Sequence, residues 1–140
     1  MARIKQTILF ICLGNDARSQ MAEGIVNHFH RNRYEAFSAG TEPTKLDPIA
    51  IKVMKEIGVD ISKAKAKDDR GFYGKPIDYV VTLSNEAEED LSSFVQGRDY
   101  IHEDFPDPSE FDGPESKVIL EYRRVRDDIR AFISETFGGR

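Results

Sequence analysis

One short segment of the chain combines a nucleophile, a permissive turn and an arginine. Residues 12–19 read Cys-Leu-Gly-Asn-Asp-Ala-Arg-Ser, and Cys12 is the single cysteine among 140 residues. Gly14 and Asn15 are residue types that adopt positive φ, as a tight turn requires. Such a turn directs successive backbone N–H groups to one point and forms a nest for an oxyanion. We call residues 12–19 the Cys12 loop.

The residue types of the Cys12 loop suit nucleophilic attack on a tetrahedral oxyanion. Arg18 carries a planar fork of donors that matches two oxygens of such an anion. Ser19 can donate a hydrogen bond to sulfur, and the N-terminal end of a following helix favours an anion and a thiolate alike. This combination is typical of phosphoryl transfer. We predict that Cys12 and Arg18 are catalytic and that the oxyanion is bound by Leu13, Gly14, Asn15, Asp16, Ala17, Arg18 and Ser19.

The flanking sequence predicts a buried strand before the Cys12 loop and a helix after it. Residues 7–13 form a continuous apolar and β-branched run, as in a strand buried on both faces of a parallel sheet. From Ser19 onward, Met21, Ile25 and Phe29 recur at helical spacing. A lone cysteine on a buried strand is usually an inert core residue. Here it lies at the carboxyl end of a strand, where open α/β sheets bind ligands.

Strands and helices alternate along the rest of the chain. This alternation predicts an α/β fold with a mostly parallel sheet and right-handed crossovers. The length of 140 residues suits a single domain that covers residues 1–140. The remaining predicted elements are strands at 34–39, 78–83 and 99–102, helices at 48–57, 115–137 and from Asn85 onward, and loops at 62–76 and 103–114.

Composition limits the partners and cofactors. The 25 acidic and 20 basic side chains give a net charge of −5, whereas binders of nucleic acid or anionic membranes are basic, so we expect neither partner. One cysteine excludes an internal disulfide and disfavours a cysteine-based zinc site, and we expect no metal and no cofactor. The longest apolar run is too short to span a bilayer. Residues 1–6 show no signal-peptide cleavage pattern, and we expect a cytoplasmic protein.

The Cys12 loop and its continuation through Gly24 resemble the low-molecular-weight protein tyrosine phosphatase superfamily, most closely its arsenate reductase branch. Further matching segments are residues 38–41, 54–62, 80–83 and 123–127. The resemblance implies a four-stranded parallel sheet with helices on both faces. It also implies that Asp107, in the Asp-Pro of a late loop, is the general acid that protonates the leaving oxygen. Asp104 is the alternative acid.

The chain departs from the pattern of this superfamily in three places. Thioredoxin-coupled arsenate reductases use two further cysteines, and the matching positions here are Ser84 and Leu91, so reduction would need an external thiol. Asp16 puts a carboxylate in the Cys12 loop, and we expect it to point to solvent or to a nearby base, because an inward carboxylate repels an anion. Phe111 replaces the tyrosine pair of phosphotyrosine-directed members and either lines the pocket or packs on the core.

Three functions are compatible with these residues. The first is a cysteine-dependent phosphomonoesterase that hydrolyses aryl phosphate or phosphotyrosine through a phosphocysteine. The second is a single-cysteine arsenate reductase that converts arsenate to arsenite with an external thiol. The third is a non-catalytic oxyanion-binding module that Asp16 has disabled. We place the phosphatase first, because one cysteine completes hydrolysis unaided.

Overall fold

The computed structural model describes residues 4–138. The prediction of no signal peptide rests on residues 1–6, and residues 1–3 lie outside the described residues. Four parallel strands form one sheet in the order β2-β1-β3-β4. The strands are β1 (Gln6–Cys12), β2 (Tyr34–Gly40), β3 (Ile77–Thr82) and β4 (Gly97–His102). The helices are α1 (Arg18–Phe29), α2 (Pro48–Lys55), α3 (Asn85–Glu89) and α4 (Glu115–Phe137). The predicted α/β class with a four-stranded parallel sheet is confirmed.

Strand β1 is an inner strand and is buried on both faces. Its side chains alternate, because successive residues of a strand point to opposite faces. Phe10 and Cys12 join the main core beneath α1, α2 and α4, whereas Leu9 and Ile11 join a smaller core on the side of α3. Cys12 is therefore the last residue of a buried inner strand, one residue before the end that the sequence predicted.

The long helix α4 matches its predicted bounds, but its buried stripe differs from the prediction. Tyr122 and Ile129 are buried as expected, whereas Ile133 replaces Phe132 as the buried residue of the next turn. The roughly seven-residue spacing of Val118, Tyr122, Val125, Ile129 and Phe132 in the sequence predicts one apolar stripe, but a straight helix of 3.6 residues per turn drifts away from that repeat. None of the helices within residues 4–138 is long and apolar enough to cross a membrane.

Two short 3₁₀ turns lie in segments that the sequence predicted as loops. The first, Asp69–Phe72, begins where the side chain of Asp68 accepts a hydrogen bond from the backbone N–H of Arg70. The second, Pro108–Glu110, begins at Asp107. Each turn is set by one local side-chain cap, which stabilises the first free N–H groups of the turn. The second turn matters for the site, because its cap is the predicted general acid.

An ion-pair cluster ties the end of α2 to α4. Arg126 is nearly buried, and its Nη1 donates to the Val53 carbonyl at 2.9 Å and to Glu56 at 2.8 Å. Arg123 also pairs with Glu56 at 2.8 Å. Hydrogen bonds from Arg123 and then Arg126 lower the pKa of Glu56 to about 2. The cluster holds α4 in the position where Tyr122 reaches the start of α2.

We expect the Glu56→Gln variant to be less stable than the native protein near neutral pH. A carboxyl whose folded pKa lies below its unfolded value stabilises the fold above the unfolded value, and that contribution disappears as pH falls through the folded value. The difference in free energy of unfolding should therefore shrink as pH falls from above the ordinary value of 4.5 to about 2. Urea denaturation at a series of pH values measures it, with exposed Glu135→Gln as the control. A difference in free energy of unfolding that stays constant with pH would contradict the lowered pKa of Glu56.

Candidate active site

The sulfur of Cys12 is buried and contacts one hydroxyl group. Ser19 Oγ lies 2.9 Å from Cys12 Sγ. Asn15 Nδ2 donates to the same Ser19 Oγ at 2.8 Å, so the hydroxyl hydrogen of Ser19 is free to point to the sulfur. The sulfur at the end of β1 is therefore in direct contact with the first turn of α1.

Asn15 provides the turn that brings these groups together. It adopts φ of 50° and is the one non-glycine residue with positive φ among residues 4–138. Its Oδ1 accepts from the backbone N–H of Lys67 at 2.8 Å and from Gln20 Nε2 at 3.0 Å. Asparagine tolerates this left-handed region because its side chain can bond locally. The side-chain hydrogen bonds of Asn15 thus stabilise a conformation that most residues avoid.

The backbone carbonyls of residues 12–17 in the Cys12 loop are all hydrogen-bonded. The carbonyls of residues 12, 13, 14 and 16 accept from the N–H groups of residues 41, 42, 44 and 47 at 2.8–3.2 Å. The carbonyls of residues 15 and 17 accept from Gln20 Nε2 and from the Met21 N–H. We call residues 41–47 the flanking segment. It fixes the direction of the peptide groups in the loop.

The N–H groups of the same loop are left available. Within residues 4–138, none of the N–H groups of residues 13–19 donates to a protein acceptor. The N-cap of α1 is Ala17, which has no side chain able to cap the helix. Buried N–H groups are almost always paired, and an uncapped helix start is where anions bind. The Cys12 loop can therefore supply several donors to an oxyanion above Cys12.

Gly40 makes the close packing of the Cys12 loop possible. It is the last residue of β2 and pairs with Cys12. A Cβ atom at this position would lie 2.7 Å from the Leu13 carbonyl oxygen and 2.9 Å from the Asn15 nitrogen. Both contacts are shorter than real Cβ atoms make, and both neighbours are backbone atoms. Only glycine fits there without moving the loop.

Arg18 connects the Cys12 loop to the segment after β4. Its side chain is buried, and Nη1 donates to the Phe105 carbonyl at 2.8 Å. Its Nη2 lies 3.8 Å from Asp107 Oδ2. The other oxygen of Asp107, Oδ1, accepts from the Ser109 N–H at 2.9 Å and from Ser109 Oγ at 2.7 Å. One carboxylate oxygen of Asp107 is therefore held by its own turn, while the other faces Arg18.

A cleft of about 190 Å³ opens beside Arg18 and Asp107. The structure thus brings the two predicted residues Arg18 and Asp107 to one cleft next to the Cys12 loop. Phe111, which the sequence left undecided, does not line this cleft. The exposed carboxylates Glu86 and Glu110 also line this cleft, and the sequence did not predict them, because nothing in their local pattern separates them from an ordinary solvated surface. The lining residues are Leu13, Arg18, Glu86, Asp104, Phe105, Pro106, Asp107 and Glu110.

Asp16 turns to a hydroxyl group and not to a base. Its Oδ2 accepts from Thr44 Oγ1 at 3.1 Å, and its carboxylate folds over Gly14. This bond is exposed, in line with the expected direction toward solvent, and its donor is a hydroxyl group of the flanking segment instead of a base. The carboxylate remains close enough to affect Tyr122, whose hydroxyl donates to Asp47. Burial, Asp47, Asp107 and Asp16 together raise the pKa of Tyr122.

Two positions matter for any redox chemistry. Ser84 is buried, and its Oγ accepts from the Ala87 N–H at 3.1 Å, so it caps α3. Leu91 packs against the smaller core. Both positions therefore have structural contacts of their own. Within residues 4–138, no group of three His, Cys, Asp or Glu side chains is placed to hold a metal ion.

Comparison with known proteins places this architecture in a family. Residues 7–137 match the family model described as low molecular weight phosphotyrosine protein phosphatase. Arsenate reductase 1 of Staphylococcus epidermidis is 39% identical over 136 residues, which cover 97% of this chain and 98% of that protein. The chain belongs to the low-molecular-weight phosphotyrosine protein phosphatase family, so it is a family enzyme of the phosphatase or arsenate reductase kind. The resemblance to the superfamily is confirmed.

Solved structures agree with this placement. An arsenate reductase in the phosphate-binding state superposes with a TM-score of 0.72 at 27% identity and covers 93% of this chain and 95% of its own. A low-molecular-weight protein tyrosine phosphatase from T. tengcongensis superposes with a TM-score of 0.79 at 25% identity, covering 96% and 99%. The same fold therefore carries both activities among its relatives.

We expect the Gly40→Ala variant to bind inorganic phosphate at least about 10-fold more weakly, because displacement of the Leu13 carbonyl turns peptide groups of the loop away from the anion. Isothermal titration with phosphate measures the affinity. Gly71→Ala is the matched control, because a Cβ at Gly71 meets no atom within 4 Å. Unchanged phosphate affinity in Gly40→Ala would show that the loop does not depend on this close contact.

We also expect Arg18→Lys to lose most of the phosphate affinity. Lysine keeps the positive charge but cannot donate to the Phe105 carbonyl and to an oxyanion with one planar fork. The loss should be about 10-fold or more, since one charge-assisted hydrogen bond contributes roughly 1.5–3 kcal/mol. Competition by phosphate in any activity assay, or direct titration, measures it. Near-native affinity in Arg18→Lys would mean that charge alone is required.

Proposed function

We propose that the protein is a single-cysteine arsenate reductase that converts arsenate to arsenite with an external thiol. The observation that carries the proposal is the Cys12 loop itself, whose free N–H groups and Arg18 surround a buried nucleophile. Such a site suits a tetrahedral oxyanion. The relatives named arsenate reductase support arsenate as the substrate, and the order of the two leading hypotheses from the sequence is therefore reversed here.

In the first step the thiolate of Cys12 attacks arsenic and one As–O bond breaks. The departing oxygen leaves as water when Asp107 Oδ2 gives it a proton. Arg18 and the N–H groups of the loop stabilise the negative charge that develops on the remaining oxygens. The general acid is needed because hydroxide is a poor leaving group. The position of Asp107 Oδ2, 3.8 Å from Arg18 Nη2, supports this role.

In the second step an external thiolate attacks Cys12 Sγ and the S–As bond breaks. The electron pair of that bond stays on arsenic, which leaves as arsenite, and a mixed disulfide remains on Cys12. A second thiol releases Cys12 and forms a disulfide with the first. Two thiols thus supply the two electrons of the reduction. An internal relay needs further cysteines, and the chain has none.

A phosphomonoesterase is the second candidate. Cys12 would attack phosphorus, Asp107 would protonate the ester oxygen, and water would then hydrolyse the phosphocysteine with Asp107 as the base. The observation that favours it is the single cysteine, because hydrolysis needs no reductant. The non-catalytic module of the sequence analysis has less support, because Asp16 bonds Thr44. A single domain over residues 1–140, a cytoplasmic location and the absence of nucleic-acid and membrane partners remain predictions.

We expect arsenite formation that depends strictly on added thiol and disappears in Cys12→Ser. Purified protein is incubated with arsenate and either dithiothreitol, glutathione or no thiol, and arsenite is quantified. Hydrolysis of phenyl phosphate and of p-nitrophenyl phosphate is measured in parallel without thiol. Asp107→Asn should slow arsenite formation, while Asp112→Asn, an exposed carboxylate that does not line the cleft, is the control.

The parallel assays separate the two candidates. Rapid thiol-independent hydrolysis of the phosphates with no arsenite formation would overturn the reductase in favour of the phosphatase. In that case Asp107→Asn should cost roughly 10²–10⁴-fold on phenyl phosphate and less on p-nitrophenyl phosphate, whose leaving group scarcely needs a proton. Tight phosphate binding with neither activity would leave only the binding module.

A further inference from the structure

We propose that Asp104, Asn85 and His102 form a clamp that positions the segment carrying the Phe105 carbonyl and Asp107. None of the three is expected to touch the reacting atoms, so they are positioning residues. The proposal rests on the role that the proposed function gives to Asp107. It goes beyond that function by explaining what holds the acid and Arg18 in place.

The clamp is a continuous chain of hydrogen bonds between the ends of β3 and β4. The Asn85 N–H donates to Asp104 Oδ1 at 2.9 Å. Asn85 Oδ1 and His102 Nε2 are 2.9 Å apart, and Thr82 Oγ1 and His102 Nδ1 are 2.8 Å apart. An amide oxygen can only accept, so Nε2 of His102 donates to Asn85 Oδ1, and in the neutral ring Nδ1 accepts from Thr82 Oγ1. The ring of His102 is thereby fixed at both nitrogens.

The clamp acts on a segment that the backbone also holds on both sides. The Glu103 N–H donates to the Thr82 carbonyl at 3.0 Å, and the Phe105 N–H donates to the Leu83 carbonyl at 2.9 Å. Asp104 lies between these two bonds. Phe105 follows Asp104 in the chain, and its carbonyl accepts a hydrogen bond from Arg18 Nη1. Asp107 lies two residues after Phe105. A shift of Asp104 would therefore move both the arginine and the acid.

This geometry gives Asp104 a different role from the one that the sequence left open. Asp104 lines the cleft, and it was the alternative general acid. Its Oδ1 instead accepts a backbone hydrogen bond, which an asparagine oxygen can accept equally well. A general acid cannot be replaced by asparagine, because the amide gives up no proton in the reaction. The two roles therefore make opposite predictions for one conservative substitution.

The test compares Asp104→Ala, Asp104→Asn and Glu103→Ala. Glu103→Ala is the matched control, because it removes an exposed carboxylate from the neighbouring residue of the same segment. For each variant, kcat and KM are measured for thiol-dependent arsenate reduction and for hydrolysis of phenyl and p-nitrophenyl phosphate, and phosphate affinity is measured by titration. Asp104→Ala should lower kcat by about 10–100-fold, since a displacement of about 1 Å at a site costs up to about 10²-fold. Asp104→Asn and Glu103→Ala should both keep a kcat close to that of the native protein.

A double variant shows whether Asp104 acts through Asp107. In the Asp107→Asn background, Asp104→Ala should lower kcat far less than it does in the native background, because the acid that it positions is already absent. Full multiplication of the two losses, together with unchanged phosphate affinity in Asp104→Ala, would overturn the clamp, because neither Asp107 nor Arg18 would then depend on Asp104. Equal impairment of Asp104→Asn and Asp104→Ala would also overturn it and would return Asp104 to the role of acid.

Failure of the clamp and failure of the proposed function give different results. If Asp107→Asn slows turnover while Asp104→Ala does not, the clamp is wrong and the acid assignment stands. If Asp107→Asn changes no rate, the acid assignment is wrong. The clamp is then tested by phosphate affinity alone, because it is also proposed to position Arg18 through the Phe105 carbonyl. In that case Asp104→Ala must bind phosphate more weakly and Asp104→Asn must not, or the clamp is wrong as well.

Discussion

The direction of the peptide groups in residues 12–17 constrains everything else in the site. Because the N–H and the carbonyl of one peptide unit point in opposite directions, bonding every carbonyl on the outside leaves the N–H groups on the side of Cys12. The flanking segment does most of this bonding, Gly40 lets it approach, and Asn15 supplies the turn. The loop is consequently organised by contacts within the protein, which is the condition for strong electrostatic stabilisation.

The other components of the site are attached to this loop through Arg18. Its guanidinium joins α1 to the Phe105 carbonyl, and the segment that carries Phe105 also carries Asp107. The proposed nucleophile Cys12, the anion-binding Arg18 of the proposal and the proposed acid Asp107 therefore lie in segments that follow the carboxyl ends of parallel strands, where the sheet topology brings loops together. Ser84 caps α3, and Leu91 packs against the smaller core. Electrons for a reduction must consequently enter from another molecule.

Features set by neighbouring residues could be predicted from the sequence, and features set by distant contacts could not. The run before Cys12 predicted a buried strand, and Gly14 and Asn15 predicted the turn, because both features depend on local conformation. The orientation of Asp16 depends on Thr44, 28 residues away, and the rim carboxylate Glu86 reaches the cleft only through the sheet order. The buried residues of α4 differ from the predicted ones, because the seven-residue repeat used for the prediction differs from the true helical period.

The most direct test of this account is an amide chemical-shift titration of the Cys12→Ser variant with inorganic phosphate, followed by heteronuclear NMR. The substitution removes the nucleophile and leaves the backbone donors in place. We predict that the largest shifts are those of the N–H groups of residues 13–19 and that they saturate together with the Arg18 side-chain signal. Shifts that are small in the loop, or that are largest elsewhere on the surface, would contradict it.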